Sequence, residues 1–341
     1  MYPLDLFHED QALWLAQVQE PIVDPDRLII DPHHHLWPDM RGDVYNIEDF
    51  TVDTSSGHKV AGTVFMECGT CYLETGPEEE KSLGETAYVL EQTEKARELA
   101  NGAPILGMVG HVDLRLNDRV DDLLDRHIAI AGSFFKGIRH AGASARAADV
   151  DDMFIPASAP ADLYQQTDFR RSVRRLGERG LSYDTWHFHF QTQNFIELAR
   201  SCPDTQLVLD HFGTPLGVGA YQDQRKEIYE QWAIDIKELS ECPNVVLKLG
   251  GLAMPDNGFA WHTAERPPNS DEFVAAQGDY YHHAIDCFGP ERCMFESNFP
   301  VDRLSLGYAV LFNGFKKIAA SYSDSEQEAL FSGTASRIYR L

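Results

Sequence analysis

The strongest constraint on the fold of this chain is an alternation, repeated eight times, of a short apolar run and a longer helical pattern. The apolar runs cover residues 28–31, 61–67, 105–112, 134–139, 181–186, 206–210, 245–249 and 293–297. Apolar residues at helical spacing follow over residues 85–100, 119–130, 162–179, 192–201, 223–241, 271–288, 306–321 and 325–340. Strands of this kind that alternate with helices indicate a parallel sheet covered by helices.

Eight such units in one uninterrupted chain favour an α/β fold of the (β/α)8, or TIM, barrel type. Such a barrel typically takes about 250 residues, or more with insertions, and the chain has 341. An open doubly wound sheet usually carries a glycine-rich phosphate loop, and neither GxGxxG nor GxxxxGK[ST] occurs here. We therefore expect one barrel domain over residues 27–341, preceded by an N-terminal extension over residues 1–26.

The charge balance excludes several classes of function. The chain has 29 Lys and Arg against 54 Asp and Glu, a formal net charge of −25. A surface this acidic repels phosphate backbones and anionic lipid, which argues against nucleic-acid and membrane partners. The N-terminus is acidic where a secretion signal is basic. The six cysteines lack paired metal-finger spacing, so a reducing cytoplasm is the expected location.

The end of the first strand carries the densest group of candidate site residues. In a β/α barrel the chemistry lies at the C-terminal ends of the strands, and here the first strand ends in the sequence DPHHHLW over residues 31–37. Because side chains alternate along a strand, Asp31, His33 and His35 are expected on one face and His34 on the other. Two imidazoles on one face can bind one metal ion or one carbonyl oxygen.

Other strand ends supply further candidates. The fourth ends with Lys136 and Arg139, which suit an anion, although Lys136 is equally consistent with a structural ion pair. A buried carboxylate needs a partner, and Glu67 ends the second strand. The remaining candidates are Tyr72 and Trp186 as pocket-lining residues, His189 and His211 after the fifth and sixth strands, and Asn298 and Asp302 after the eighth.

These motifs together resemble the amidohydrolase superfamily, and more narrowly its amidohydrolase-related branch of TIM-barrel hydrolases, which includes sugar-acid lactonases and 2-pyrone-4,6-dicarboxylate lactonase. The resemblance runs from about residue 29 to the C-terminus and rests on residues 31–37, 135–139, 189, 210–215 and 245–251. It implies a divalent metal, with zinc expected, held by His33, His35 and His189. The metal-free lactonases of this kind imply an alternative, in which the same histidines contact the lactone carbonyl directly.

The eighth strand departs from the pattern of those lactonases, which carry Gly-(Ser/Thr)-Asp-(Trp/Tyr)-Pro with the Asp as base or metal ligand. Here the run is ESNFP over residues 296–300, which places Asn298 at the Asp position. A neutral amide cannot accept a proton from water. Glu67, Glu296 or Asp302 could replace the missing base, or the reaction needs none; among the three, Glu67 is favoured as a second carboxylate facing the histidines.

The resemblance implies a hydrolase that opens a lactone of a sugar acid or of an aromatic-catabolite acid. In this picture His211 orients the water or stabilises the oxyanion, Arg139 holds a carboxylate of an anionic small molecule, and residues 251–269 cover the pocket. Three alternatives remain at this stage: a decarboxylase or C–C lyase, a lactone isomerase, and a non-catalytic metal- or ligand-binding protein. Association into a homo-oligomer is also compatible with a barrel of this size.

Overall fold

The computed structural model describes residues 10–40, 43–145, 154–155 and 157–341. The strands are β1 (Leu28–His34), β2 (Trp37–Met40), β3 (Asp43–Tyr45), β4 (Lys59–Met66), β5 (Ile105–Gly110), β6 (Phe135–Arg139), β7 (Ser182–Thr185), β8 (Leu207–Leu209), β9 (Val245–Leu249) and β10 (Cys293–Phe295). Eight of them form a parallel sheet in the order β1-β4-β5-β6-β7-β8-β9-β10. The predicted (β/α)8 barrel is confirmed.

Helices cover the outside of this sheet. They are α1 (Gln11–Leu15), α2 (Ile47–Thr54), α3 (Leu83–Glu98), α4 (Arg119–Ala131), α5 (Thr167–Glu178), α6 (Thr192–Ser201), α7 (Arg225–Leu239), α8 (Ser270–Phe288), α9 (Tyr308–Ala319), α10 (Asp324–Glu328) and α11 (Thr334–Tyr339). A π-helical turn, Ala329–Gly333, joins α10 to α11. None of the described helices combines the length and the apolar character that crossing a membrane requires.

The barrel closes where the chain following β10 meets β1. The His35 amide donates to the Phe299 carbonyl at 2.7 Å, and the Asn298 amide donates to the His33 carbonyl at 2.9 Å. The register between β1 and β4 shifts between Asp31 and His34. The Asp31 carboxylate accepts hydrogen bonds from the His33 amide, from the Ser297 amide and from Tyr308 on α9.

The barrel interior is layered from an apolar base to a polar mouth. Its base is one cluster of buried side chains that includes Ile30, Val64, Val109, Val208, Val246 and Met294, closed by Ile338 and Tyr339 of α11. Side chains two residues apart on a strand share a face. Two residues further toward the mouth of the barrel, Val208 is therefore followed by Asp210, Val246 by Lys248 and Met294 by Glu296. The site is therefore built two residues beyond the apolar layer.

Two peripheral parts of the chain were less well anticipated. An antiparallel pair, β2 and β3, and helix α2 follow β1, and neither was predicted. Within the predicted N-terminal extension, residues 1–9 lie outside the described residues. Trp14 on α1 is buried and donates its indole N–H to the Ala264 carbonyl at 3.1 Å, which attaches the described part of the extension to the barrel domain.

The middle histidine of the first strand end gives a prediction on stability. His34 is fully buried, with its ring stacked on Phe50 at a centroid distance of 4.2 Å, and burial lowers the pKa of His34 to about 3. An unfolded histidine has a pKa of about 6.5. The unfolded chain therefore binds a proton that the folded chain does not, and stability is lost as the pH falls below about 6.5, by up to about 1.4 kcal/mol per pH unit.

We expect His34→Phe to keep the ring stacking and to remove this pH dependence. The free energy of unfolding of the variant, measured by urea titration, should exceed that of the wild type by a margin that grows between about pH 7 and pH 5. A margin that stays constant over this range would contradict the assignment.

Candidate active site

A cavity of about 170 Å³ opens at the C-terminal end of the barrel. The polar residues that line it are His35, Asp43, Arg139, His211 and Asn298. Most of its other described lining residues are apolar, and they include Trp37, Met40, Phe154, Ile155, Trp186 and Leu304. The cavity thus meets the strand ends on which the sequence placed its candidate residues.

Glu296 is the central carboxylate of this site. It is fully buried, and its two oxygens contact two imidazoles: Oε2 lies 2.6 Å from His33 Nδ1 and Oε1 lies 2.7 Å from His211 Nδ1. Burial opposes its charge, but the two histidines lower the pKa of Glu296 to about 2. A carboxylate accepts hydrogen bonds and cannot donate them, so the Nδ1 of His211 carries the proton and its Nε2 carries a lone pair.

The backbone around His211 is shaped to permit this contact. His211, Phe212 and Thr214 have φ of +56°, +58° and +38°, a conformation that L-residues rarely adopt and that often marks a functional site. Gly251, two residues after the end of β9, has φ +75°, and a Cβ at this position would overlap the His211 ring. The glycine therefore lets the imidazole lie against the chain and reach Glu296.

His33 and His35 form a second imidazole pair. Their Nε2 atoms lie 3.2 Å apart. The Nδ1 of His35 lies 2.8 Å from the Met66 carbonyl, which can only accept, so the Nε2 of His35 also carries a lone pair. Burial lowers the pKa of both histidines well below its usual value. Two neutral rings therefore face each other through their Nε2 atoms, and the lone pair of His35 can bind a cation or accept a proton from the facing ring.

Beneath the histidines lies a buried layer of charge. The ammonium of Lys248 is 3.0 Å from an Asp210 oxygen and 3.3 Å from an Asp184 oxygen, and all three side chains are fully buried. Burial disfavours the ammonium, but Asp210 and Asp184 raise the pKa of Lys248 above its usual value. The Tyr339 hydroxyl donates to Asp184. The layer holds Lys248 3.3 Å from the Nδ1 of His33.

Arg139 is the cation on the cavity side. Its Nε donates to Glu67 Oε1 at 2.8 Å, and one terminal nitrogen lies 3.6 Å from Asp210 and 3.3 Å from the Nε2 of His33. Burial opposes the charge, but Glu67 and Asp210 raise the pKa of Arg139. The guanidinium predicted to hold a substrate carboxylate is thus already paired with protein carboxylates. Glu67 was the favoured base, but its carboxylate is paired with Arg139, and the described contacts include none between Glu67 and the histidines.

The predicted metal ligands are only partly brought together. Among the described residues, one group of three potential ligands has its donor atoms within 4.8 Å of one another, namely His33, His211 and Glu296. It leaves out two of the three predicted ligands, His35 and His189. The Nδ1 of His189 lies 3.3 Å from the Leu216 amide, and its ring packs on Tyr221. The reason is that β7 ends at Thr185, so strand alternation no longer applies four residues later.

The remaining predicted residues divide into those that line the cavity and those that do not. Trp186 and Asn298 line the cavity, and Asn298 donates to Asp302 at 3.0 Å. Burial raises the pKa of Asp302 to about 7. Tyr72 lines a neighbouring cavity with Glu67. Lys136 donates to the Arg340 carbonyl at 3.1 Å and does not reach the described cavity lining, which corrects its predicted role.

The segment over residues 251–269 supports the wall of the cavity without lining it. None of its residues is among the described lining of the cavity, so the expectation that it covers the pocket is wrong in this form. Asp256, in its first half, is buried and accepts hydrogen bonds from the amides of Phe154 at 2.5 Å and Ile155 at 3.1 Å. It thereby holds two apolar lining residues in place.

The sequence analysis did not identify three residues as part of the site, namely Asp184, Asp210 and Lys248, and named Glu296 only as one of several bases. A signal was present, since each is a charged residue within or directly after an apolar strand. An isolated charge in such a strand requires a buried partner, and only the folded barrel shows which one.

Comparison with families of known proteins gives a match over nearly the whole chain. A family model described as Amidohydrolase matches residues 30–341. An uncharacterized protein of Sinorhizobium fredii, y4mH, is 32% identical over 337 residues, covering 93% of this chain and 99% of that protein. An L-fucono-1,5-lactonase of Burkholderia multivorans is 30% identical over 261 residues, covering 75% of this chain and 77% of the lactonase.

Solved structures agree with the family match. An amidohydrolase from Burkholderia multivorans with bound HEPES superposes with a TM-score of 0.70 at 26% identity, over 92% of this chain and 99% of that one. A second crystal form of that protein, with bound zinc, has the same TM-score at 24% identity and the same coverage.

Proposed function

Because this chain belongs to the amidohydrolase family, we propose that it is a hydrolase that opens a cyclic ester with water. One observation carries the proposal: the imidazole of His211 lines the cavity while its Nδ1 is held by the buried carboxylate of Glu296 at 2.7 Å. A base oriented by a carboxylate is the arrangement that activates nucleophiles in many hydrolases. The relative named as a lactonase supports the choice of a lactone.

In the proposed reaction the Nε2 of His211 takes a proton from water as the water oxygen attacks the lactone carbonyl. Glu296 stabilises the imidazolium that forms, since its carboxylate lies against the Nδ1–H. When the tetrahedral intermediate collapses, the bond to the ring oxygen breaks and His211 returns the proton to that oxygen. The product is one hydroxy acid, and no other reactant is consumed.

Stabilisation of the oxyanion is assigned to Arg139 and Asn298. Both line the cavity, the guanidinium is charged, and the amide of Asn298 can donate a hydrogen bond. Donors that are already positioned before the reaction are worth about 3–4 kcal/mol each in hydrolases. Asn298 thus acts as an electrophile instead of the base that the related lactonases carry at this position.

We also propose that His33 and His35 hold a divalent metal, with zinc as the expected ion. The donor set fits, because two neutral Nε2 atoms face each other 3.2 Å apart, and zinc–nitrogen bonds of about 2.0–2.1 Å in a tetrahedron place two ligands about 3.3 Å apart. When bound, the metal supplies a Lewis acid that polarises a carbonyl and lowers the pKa of a bound water. Arg139, 3.3 Å from the Nε2 of His33, competes with it as a cation.

The three consecutive histidines provide matched variants for a test of this metal site. We expect His35→Gln to lose most of the zinc that the wild type retains, and His34→Phe to retain it, because His34 stacks on Phe50, away from the pair. Zinc per chain is measured by elemental analysis after dialysis. Equal zinc in both variants and the wild type, or no zinc in the wild type, would contradict the assignment.

The proposed function is tested by a screen of lactones with purified protein, following the release of acid and the identity of the product. A ring-opened hydroxy acid supports hydrolysis. Carbon dioxide release from a carboxylate substrate would show a decarboxylase, and a rearranged lactone would show an isomerase. Tight binding without turnover would show a non-catalytic protein. The starting substrates are sugar-acid lactones and anionic lactones of aromatic catabolism, for which Arg139 would have to exchange Glu67 for the substrate carboxylate.

The cellular location proposed is the cytoplasm. All six cysteines are free thiols, which suits a reducing compartment.

A further inference from the structure

The antiparallel pair β2 and β3 places the carboxylate of Asp43 in the cavity at the mouth of the barrel. Side chains alternate along a strand, so on β3 Asp43 shares a face with Tyr45, whereas Val44 lies on the opposite face and is 52% exposed. Tyr45 is buried, and its hydroxyl donates to Asp53 on α2 at 2.6 Å. The face that carries Asp43 is thereby anchored toward the protein, and Asp43 is one of the residues that line the cavity.

Trp37 orients this carboxylate relative to the histidines of the site. The indole N–H of Trp37 donates to Asp43 Oδ2 at 3.2 Å. The indole ring lies nearly parallel to the imidazole of His35, with a centroid distance of 6.3 Å and an interplanar angle of 23°. One aromatic side chain therefore connects His35 with Asp43, and all three residues line the cavity.

Asp43 can accept a further hydrogen bond from a ligand. A carboxylate has about four acceptor positions, of which, among the described residues, the indole of Trp37 and the backbone of Val44 use two. Burial raises the pKa of Asp43 above its usual value, because the partly desolvated carboxylate has lost some of its hydration. A hydrogen-bond donor on a bound molecule would replace that hydration, and on a lactone ring such a donor is a hydroxyl group.

We propose that Asp43 is a specificity-determining residue, which accepts a hydrogen bond from a hydroxyl group on the ring of the substrate. The proposal rests on the proposed lactone hydrolysis and narrows its substrate class to lactones that carry ring hydroxyls. Asp43 acts on the binding of the ring and takes no part in the proton transfers assigned to His211.

The test compares two lactones with the same carbon skeleton. L-fucono-1,5-lactone carries hydroxyls on its methyl-substituted ring, and δ-hexalactone is the same ring without them. The measured quantity is the ratio of kcat/KM for the first lactone to that for the second, compared between variants, because the intrinsic reactivity of each lactone then cancels. Asp43→Leu should lower this ratio about 10- to 100-fold, the factor that one hydrogen bond to a charged group typically contributes. The kcat/KM for δ-hexalactone should stay within about threefold of the wild type.

Two further variants separate recognition of the hydroxyl from damage to the fold. Asp43→Asn keeps an acceptor oxygen and should recover most of the ratio that Asp43→Leu loses. Val44→Ala, on the exposed face of the same strand, should leave the ratio unchanged. An unchanged ratio in Asp43→Leu, or an equal loss of kcat/KM for both lactones, would overturn the role of Asp43 while leaving lactone hydrolysis intact. Hydrolysis of δ-hexalactone alone by the wild type would overturn the substrate class.

A wild type that hydrolyses neither lactone would overturn the proposed function, and binding would then decide the role of Asp43. Dissociation constants measured by isothermal titration calorimetry should show L-fucono-1,5-lactone bound about 10- to 100-fold more weakly by Asp43→Leu than by the wild type. The affinity for δ-hexalactone should be the same in both proteins. Equal affinities of the two proteins for L-fucono-1,5-lactone, or no binding of it by the wild type, would overturn the role of Asp43 as well.

Discussion

Replacement of Glu296 by Gln is expected to lower kcat for lactone hydrolysis by about 10³- to 10⁴-fold, the size of loss seen when an orienting carboxylate becomes an amide in a comparable dyad. The two oxygens of Glu296 each face an imidazole Nδ1, at 2.6 Å and 2.7 Å. A glutamine offers one acceptor and one donor, so it cannot reproduce the contacts that the two carboxylate oxygens make with both rings. The negative charge that stabilises the imidazolium of His211 is lost in either orientation.

The matched control is Glu85→Gln. Glu85 is also buried and accepts hydrogen bonds from the amides of Cys68 and Thr70 through one oxygen, and burial raises the pKa of Glu85 to about 8. A glutamine resembles its protonated form, so we expect kcat within about threefold of the wild type. Retention of more than a tenth of wild-type kcat in Glu296→Gln, with the fold verified by circular dichroism, would exclude the dyad.

Much of the fold could be predicted because barrel strands and their covering helices have strong periods. Residues 245–249 and 192–201 were predicted with the bounds that β9 and α6 have. The pair formed by β2 and β3 was missed because strands of four and three residues, one of them containing Pro38, are too short to show an alternation. These missed strands carry Trp37, Met40 and Asp43 into the cavity.

The site could be predicted only as far as strand geometry reaches. His33 and His35 were placed together by strand alternation, although His35 lies one residue beyond β1, and His211 was a candidate because it lies two residues after β8. The choice among Glu67, Glu296 and Asp302 could not be made, since all three follow strands and only distances across the barrel distinguish them. Glu67 is 2.8 Å from Arg139, whereas Glu296 contacts both histidines.

Removal of Lys248 from the buried charge layer is expected to lower the free energy of unfolding strongly. Lys248→Met leaves Asp184 and Asp210 without the ammonium that now lies 3.3 Å and 3.0 Å away. Removing one partner of a buried ion pair typically costs about 3–5 kcal/mol, because the remaining charge stays desolvated. We expect a loss of that size in the free energy of unfolding near pH 8, measured by urea titration.

The pH dependence of this loss identifies its cause. An unpartnered buried carboxylate has a folded-state pKa above its unfolded value, so its penalty is present at alkaline pH and disappears as the pH falls below the folded pKa. The deficit of Lys248→Met should therefore shrink toward about pH 5.5, and Asp210→Asn in the same background should recover part of it at pH 8. Lys237→Met, at an exposed lysine, should stay within about 0.5 kcal/mol of the wild type. A deficit that is equal at both pH values would show that lost packing, and not unbalanced charge, destabilises the variant.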